Sequence, residues 1–331
     1  MLQVFRSFRV AGIFILLGFA ALVRAAAFAV DIPVEEEGVL NPWGHWVQGL
    51  WIGGGIADWL LGAVVVAILG FGASFTLQHY RLSSAGMLPG FTAIILGSAS
   101  WYWLGFSPLL VGACLIGYAA YRLFECYRHQ GISLPVFDAG LLIGCAWMIA
   151  PGFLWFLPAA IIGLAQLRGF RFTDLFGLLI AAITPALLFG TYRFLTDSLE
   201  EFLWVAGSSE WKLTESLFEI PEVSAMLENW PWFAVMLVAS IIAFVGIAKL
   251  TTRRPIQEQR FNRLVYMFLG AGWLAILLSG PIYPWSFAYV FLPLSLLLGI
   301  WLSELSRKQA DIVSMIALLL VVAGFLWKAI V

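Results

Sequence analysis

The chain has 331 residues, 62% hydrophobic and 11% charged, with a mean hydropathy of +0.95 and a formal net charge of -1. Soluble domains carry roughly a quarter of their residues as charges, so a soluble globule is excluded, and no basic cluster is dense enough for a nucleic-acid partner. Runs such as LLGAVVVAILGFGASF and IVSMIALLLVVAGFLW are apolar all round rather than alternating, which excludes a β-barrel pattern and predicts one all-α, polytopic membrane helix bundle over residues 1–331.

Taken in order, Arg6 and Arg9 precede an apolar run over 10–30. That run is longer than the roughly 7–15-residue core of a secretory signal and reads as an uncleaved first span. It ends in the stretch RAAAFAVDIPVEEEGVLNPWGHWVQGLWIGGGIAD, Arg24 to Asp58, which holds an outer loop over about 31–56. Acids, a histidine, tryptophans and glycines gather there, and it is where chemistry is expected. Its candidate catalytic acids are Asp31, Glu35, Glu36 and Glu37. The glycines Gly53, Gly54 and Gly55 are not a phosphate loop and allow close packing before the second span. Asp58 reads first as a helix cap and second as a residue facing a site. His45 lies in an acidic neighbourhood, where it is either a surface hydrogen-bonding residue or part of a site.

Further spans are predicted at 57–77, 87–104, 106–123, 137–150, 152–167, 173–195, 231–250, 264–281, 284–303 and 311–329, eleven in all with the first. The pair over 137–167 is short and meets at Ala150, Pro151 and Gly152, so either two spans or a re-entrant hairpin would serve. Asp138 and Asp174 open helices and read as caps that favour the helix dipole. Cys114, Cys126 and Cys145 share no CxxC spacing and read as core thiols.

With the N-terminus placed in the cytoplasm, inner segments hold 14 of the 18 basic residues, the positive-inside bias of a cytoplasmic membrane protein. Acids fall the other way: 12 of 19 lie in the first outer loop and in a second one over about 196–230. The second loop also carries an apolar pattern that predicts short surface helices over the outer opening. Arg24 and Arg193 lie near the outer ends of their spans, where they either snorkel or pair with a phosphate or with the loop acids. Trp43, Trp46 and Trp51 either anchor the interface or stack on a sugar. The expected spans hold no mid-membrane acid, which argues against proton-coupled transport.

A first span ending in Arg24, an acidic outer loop and many spans joined by short basic inner loops resemble the GT-C-type membrane glycosyltransferases. That resemblance implies a polyprenyl-phosphate-linked sugar as partner, bacterial envelope glycan assembly as the setting and the inner membrane as the location. It also implies a base or metal ligand among Asp31, Glu35, Glu36 and Glu37, with a divalent metal ion as the cofactor that such acids would hold. Arg24, His45, Trp43, Trp46, Trp51, Asp58 and Arg193 are then the substrate-binding candidates. The chain departs from that pattern in having no Asp-Asp or Asp-Glu pair in the first loop. The segments YRLFECYRHQ, VFDAGLLIGCAWMIAPGFLWFLP and RGFRFTD also resemble a family of bacterial multispan proteins with no assigned activity. The alternatives are a non-catalytic membrane subunit of an envelope assembly and a lipid or solute carrier.

Overall fold

The computed structural model describes residue 5 and residues 10–25, 40–49, 56–80, 86–98, 105–127, 134–196, 230–251, 255–278 and 284–330. Among them every regular element is a helix: α1 Val10–Ala25, α2 Pro42–Gly49, α3 Ile56–His79, α4 Leu88–Ser98, α5 Pro108–Glu125, α6 Leu134–Ile149, α7 Phe156–Arg168, α8 Phe172–Leu195, α9 Trp230–Thr251, α10 Ile256–Leu278, α11 Ala288–Glu304 and α12 Arg307–Ile330. Short 3-10 turns over Pro151–Trp155 and Pro284–Phe287 lead into α7 and α11. Five of the described helical segments are long and apolar enough to cross a membrane, and five more are apolar but shorter. Helices satisfy their own backbone in hydrocarbon, which is why an apolar chain takes this form.

Side-chain contacts fix the directions of the passes. Phe5 meets Phe91 at 5.1 Å between ring centroids, and Arg24 reaches Gly97, so α1 and α4 run parallel. Between them α3 runs the opposite way, its Ser74 hydroxyl accepting from Gly90 N at 2.9 Å. α5 runs with α3: Phe106 N donates to Asp58 at one end, and Tyr80 packs on Tyr121 at the other. The start of α5 follows from its sequence, with Ser107 accepting from Leu109 N and Pro108 at the first helical position. α11 crosses this group antiparallel to α4 and is tied to it by Thr92, whose hydroxyl donates to Ser295 O at 2.8 Å. α10 runs antiparallel to α7, with Phe156 against Phe268 and Arg260 donating to Leu167 O at 2.8 Å.

Two ends result. One, called the basic end here, carries Arg122, Arg168, Arg171, Arg260, Arg263, Arg307 and Lys308. The opposite end holds the last turn of α1, α2 and the start of α3. Of the described acids, Asp58 lies at that opposite end, and Glu125, Asp138, Asp174, Glu258, Glu304 and Asp311 lie at the basic end.

The 137–167 region is two antiparallel passes. α6 leaves the basic end, where Arg122 pairs with Asp138, and reaches the opposite end, where Ile149 O accepts from Asn41 N at 2.9 Å. After the Pro151 turn, α7 returns to the basic end and pairs Arg168 with Asp174. Asp138 and Asp174 are therefore ion-pair acceptors, and the residue at the cap position of α8 is Arg171. Gly169, with φ +86°, makes the reversal after α7 possible, because a side chain is strained in that conformation.

Two boundaries differ from expectation. α10 begins at Ile256 rather than near 264, because its polar first turns are satisfied: Arg260 bonds Leu167 O and stands over the Tyr127 ring. The segment PWGHWVQG, expected as loop, is the helix α2. Pro42 suits a first helical turn, and Asn41 and Gly44 seat the helix on the end of α6. The three cysteines are free thiols, with Cys126 buried. Past the last turn of α3, Tyr80 is held above the usual phenol range by burial and by Glu125, so it stays neutral.

Candidate functional site

The end opposite the basic one gathers the candidate residues. Arg24 occupies the last turn of α1 and is fully buried, the largest such side chain among the described residues. Its Nη2 donates to Gly97 O at 3.0 Å. Gly62 makes room for it, since a Cβ there would lie 2.8 Å from Arg24 Nη1. Arg24 thus does not snorkel. A guanidinium keeps its charge even when enclosed, so it places a fixed positive charge where α1, α3 and α4 converge.

Asp58, in the first turn of α3, sits within electrostatic reach of that charge. Its Oδ1 accepts from Phe106 N at 2.9 Å, so it ties down the approach to α5. Gly105 lies against the same carboxylate, and a Cβ there would collide with it. Beside Gly97, Ser98 is fully buried with a hydroxyl that has no hydrogen-bond partner. Sequence reasoning missed Ser98, Gly62, Gly97, Gly105 and Asn41. A serine or glycine in an apolar run has no distinguishing pattern of its own; it becomes part of a site when a distant side chain arrives.

The chain leaves α1 at Ala25 and re-enters the described structure at the buried Leu40, at this same end. Asp31, Glu35, Glu36, Glu37 and Trp51 lie outside the described residues, as does most of the 196–230 loop. Beyond Leu40, α2 places Trp43 edge-on to Phe189 of α8, with ring centroids 6.4 Å apart. Arg193, one turn further along α8, stands over the Phe189 ring at 5.6 Å from its centroid. Trp43 and Arg193, far apart in sequence, therefore share one patch. Trp46 is 63% exposed and His45 is exposed, neither drawn into the Arg24 cluster. Two features result: an enclosed charge cluster around Arg24 and Asp58, and an aromatic and cationic patch of Trp43, Phe189 and Arg193.

The arrangement of passes can be compared with solved structures. A crystal structure of ArnT from Cupriavidus metallidurans bound to undecaprenyl phosphate matches with a TM-score of 0.55 over 92% of this chain, at 14% sequence identity. The chain has a GT-C-like fold. It spans 58% of the length of ArnT. No family model and no curated protein matches the sequence. The likeness to ArnT is one of fold.

Among the described residues no three histidine, cysteine or acidic side chains converge as metal ligands. At the Arg24 end Asp58 is the described carboxylate.

Proposed function

We propose that the protein binds a polyprenyl phosphate at the Arg24 end and transfers the sugar it carries to an acceptor hydroxyl during bacterial envelope glycan assembly. The observation that carries this reading is the ArnT-like arrangement of helices over 92% of the chain, with a fully buried arginine at the end of the first pass. The basic end faces the cytoplasm by the positive-inside rule, which puts the Arg24 end and the acidic stretch at the outer surface of the inner membrane. A polyprenyl phosphate keeps its phosphate at head-group depth while its chain stays in lipid, so its partners must stand at that level.

Each part has work suited to its chemistry. Arg193, half exposed above Phe189, meets the phosphate, while the enclosed Arg24 makes the local field positive and Asp58 holds the approach to α5. Trp43, Trp46 and Trp51 offer faces for a sugar or aglycone ring. One acid of Asp31, Glu35, Glu36 and Glu37 takes the proton of the acceptor hydroxyl. The freed oxygen bonds to the anomeric carbon, the bond from that carbon to the phosphate oxygen breaks, and the electron pair leaves with the polyprenyl phosphate. A divalent cation held by these acids would neutralise charge on the leaving phosphate.

The test uses Asp31→Asn and, separately, Glu35→Gln, Glu36→Gln and Glu37→Gln together, in a strain lacking the protein. Charge changes and shape does not. At least one variant should insert normally and lose about 10² to 10⁴ in transfer rate, the usual contribution of general acid or base catalysis. Full complementation by both would remove the catalytic acid from this loop and the transferase reading with it. Unchanged glycans together with loss of a co-purifying assembly would instead favour a non-catalytic subunit.

A further inference from the structure

Asn41 stands just ahead of α2 and is 1% exposed. Its bonds reach the end of a distant helix. Trp147 O and Ile149 O lie in the last turn of α6, where a helix leaves its final carbonyls without partners of its own. Asn41 meets both: its Nδ2 donates to Trp147 O, and its backbone N donates to Ile149 O at 2.9 Å. Its own carbonyl accepts from His45 N at 3.1 Å, which opens the first turn of α2. One residue therefore closes α6 and begins α2. Pro42 follows directly, and a proline fixes its own φ and confines the residue before it to extended backbone, so the joint is stiff. Gly44 lets the helix come down onto its seat, because a Cβ there would collide with Ile149 O.

That seat is placed relative to α8 as well. Gly140 and Gly144 bring α6 against the α8 backbone at Leu178 and Ala182, so whatever the end of α6 holds is registered against α8. A helix of eight residues is too short to be stable alone and takes its position from what carries it. On α2 rides Trp43, half-buried, its ring 6.4 Å from that of Phe189, with Arg193 over the same Phe189 ring at 5.6 Å. We propose that Asn41 is a positioning residue for the aromatic and cationic patch: by clamping α2 to α6 it sets the Trp43 ring beside Phe189 and Arg193, so that the sugar and the phosphate of one polyprenyl-phosphate-linked donor meet ring and cation together. This role rests on that patch being the donor site.

The full-length protein is labelled with 5-fluorotryptophan and purified in detergent, and the fluorine resonance of Trp43 is assigned by its loss in Trp43→Phe. In Asn41→Ala that resonance should move. The resonance of Trp273, which donates to Ser240 between α9 and α10 and is assigned through Trp273→Phe, should stay in place. Gly44→Ala lifts α2 without removing a polar group, and as the second variant it should move the same Trp43 resonance. Binding of farnesyl phosphate, read by calorimetry, should weaken about tenfold in Asn41→Ala and in Trp43→Ala, the scale of one lost aromatic contact. The double variant should bind no more weakly than either single one, because residues that act through one contact do not add. An unmoved Trp43 resonance in both Asn41→Ala and Gly44→Ala overturns the proposal, and so do additive losses of binding in the double variant. No binding of farnesyl phosphate by the wild-type protein, with the Trp43 resonance moved in both variants, would instead overturn the donor reading and leave Asn41 as the residue that places Trp43.

Discussion

Replacing Gly144 by alanine should loosen the α6–α8 pair more than its size suggests. Gly140 and Gly144 lie four residues apart on one face of α6, and α8 passes directly over them, the small-residue spacing that lets membrane helices approach closely. A Cβ at Gly144 would stand 2.9 Å from the carbonyl carbon and 3.0 Å from the Cα of Ala182, and nearer still to that carbonyl oxygen. Ordinary contact begins near 3.4 Å. The obstacle is backbone and cannot rotate aside, so α8 must retreat by roughly half an ångström or more. A gap of 0.5 to 1 Å already forfeits a quarter to a half of each dispersion contact, and overpacking of this kind costs about 1–3 kcal/mol. We expect a loss near 2 kcal/mol, which moves the unfolding equilibrium about 30-fold. The assay is reversible unfolding in detergent, or thermal melting compared at one protein concentration. Gly177→Ala is the control, since nothing lies within 4 Å of a Cβ there. Equal stability of Gly144→Ala and Gly177→Ala would refute the close-packing argument.

Arg24→Gln should cost about 2 kcal/mol by removing a charged hydrogen bond from an enclosed position, and Arg24→Lys should not restore it, because an ammonium cannot span the Gly97 carbonyl and the Asp58 side in one planar group; unfolding of the three proteins side by side decides this. The described ion pairs of the basic end should rank by burial. Arg168→Gln breaks a pair whose side chains are 6% and 8% exposed and should cost about 3–5 kcal/mol, whereas Arg122→Gln breaks the more exposed pairs with Asp138 and Glu125 and should cost about 1 kcal/mol. A larger loss at Arg122 would contradict that ranking. Cysteines introduced at Ser208 and Ala329 should react with an impermeant thiol reagent added outside, and one at Ile256, 67% exposed at the basic end, should not. Strong outside labelling at 256 would invert the orientation.

Several helices lie close to where the sequence places apolar spans. The expected span 173–195 became Phe172–Leu195, and 231–250 became Trp230–Thr251. Agreement was poorest where polar residues continue a helix, as at Gln257 to Arg263, because a hydropathy window counts a charge as an end even when a neighbour satisfies it. α2 was missed for a related reason: eight residues with two tryptophans, a histidine and two glycines form a helix here because the end of α6 supplies a seat for Asn41 and Gly44. The site candidates divide along the same line. Arg24 and Arg193 were recognisable as cations near the ends of apolar runs. That one is enclosed against Gly97 while the other stands over Phe189 beside Trp43 was not.

By itself, then, the sequence determined that the protein is a bundle of membrane helices, roughly where each begins and ends, and which end is basic. Those properties follow from transfer free energies summed along single segments, because hydrocarbon about 30 Å thick demands a run of apolar residues whatever its neighbours are. The tertiary structure decided which helices touch and therefore which side chains find partners: Arg24 with the Gly97 carbonyl, Arg168 with Asp174, Trp43 with Phe189. Within lipid, apolar faces do not discriminate between neighbours, since a leucine side chain is as well placed against an acyl chain as against another helix. The choice of partner falls to close approaches at glycine and to a few buried hydrogen bonds, each made by residues distant in the chain.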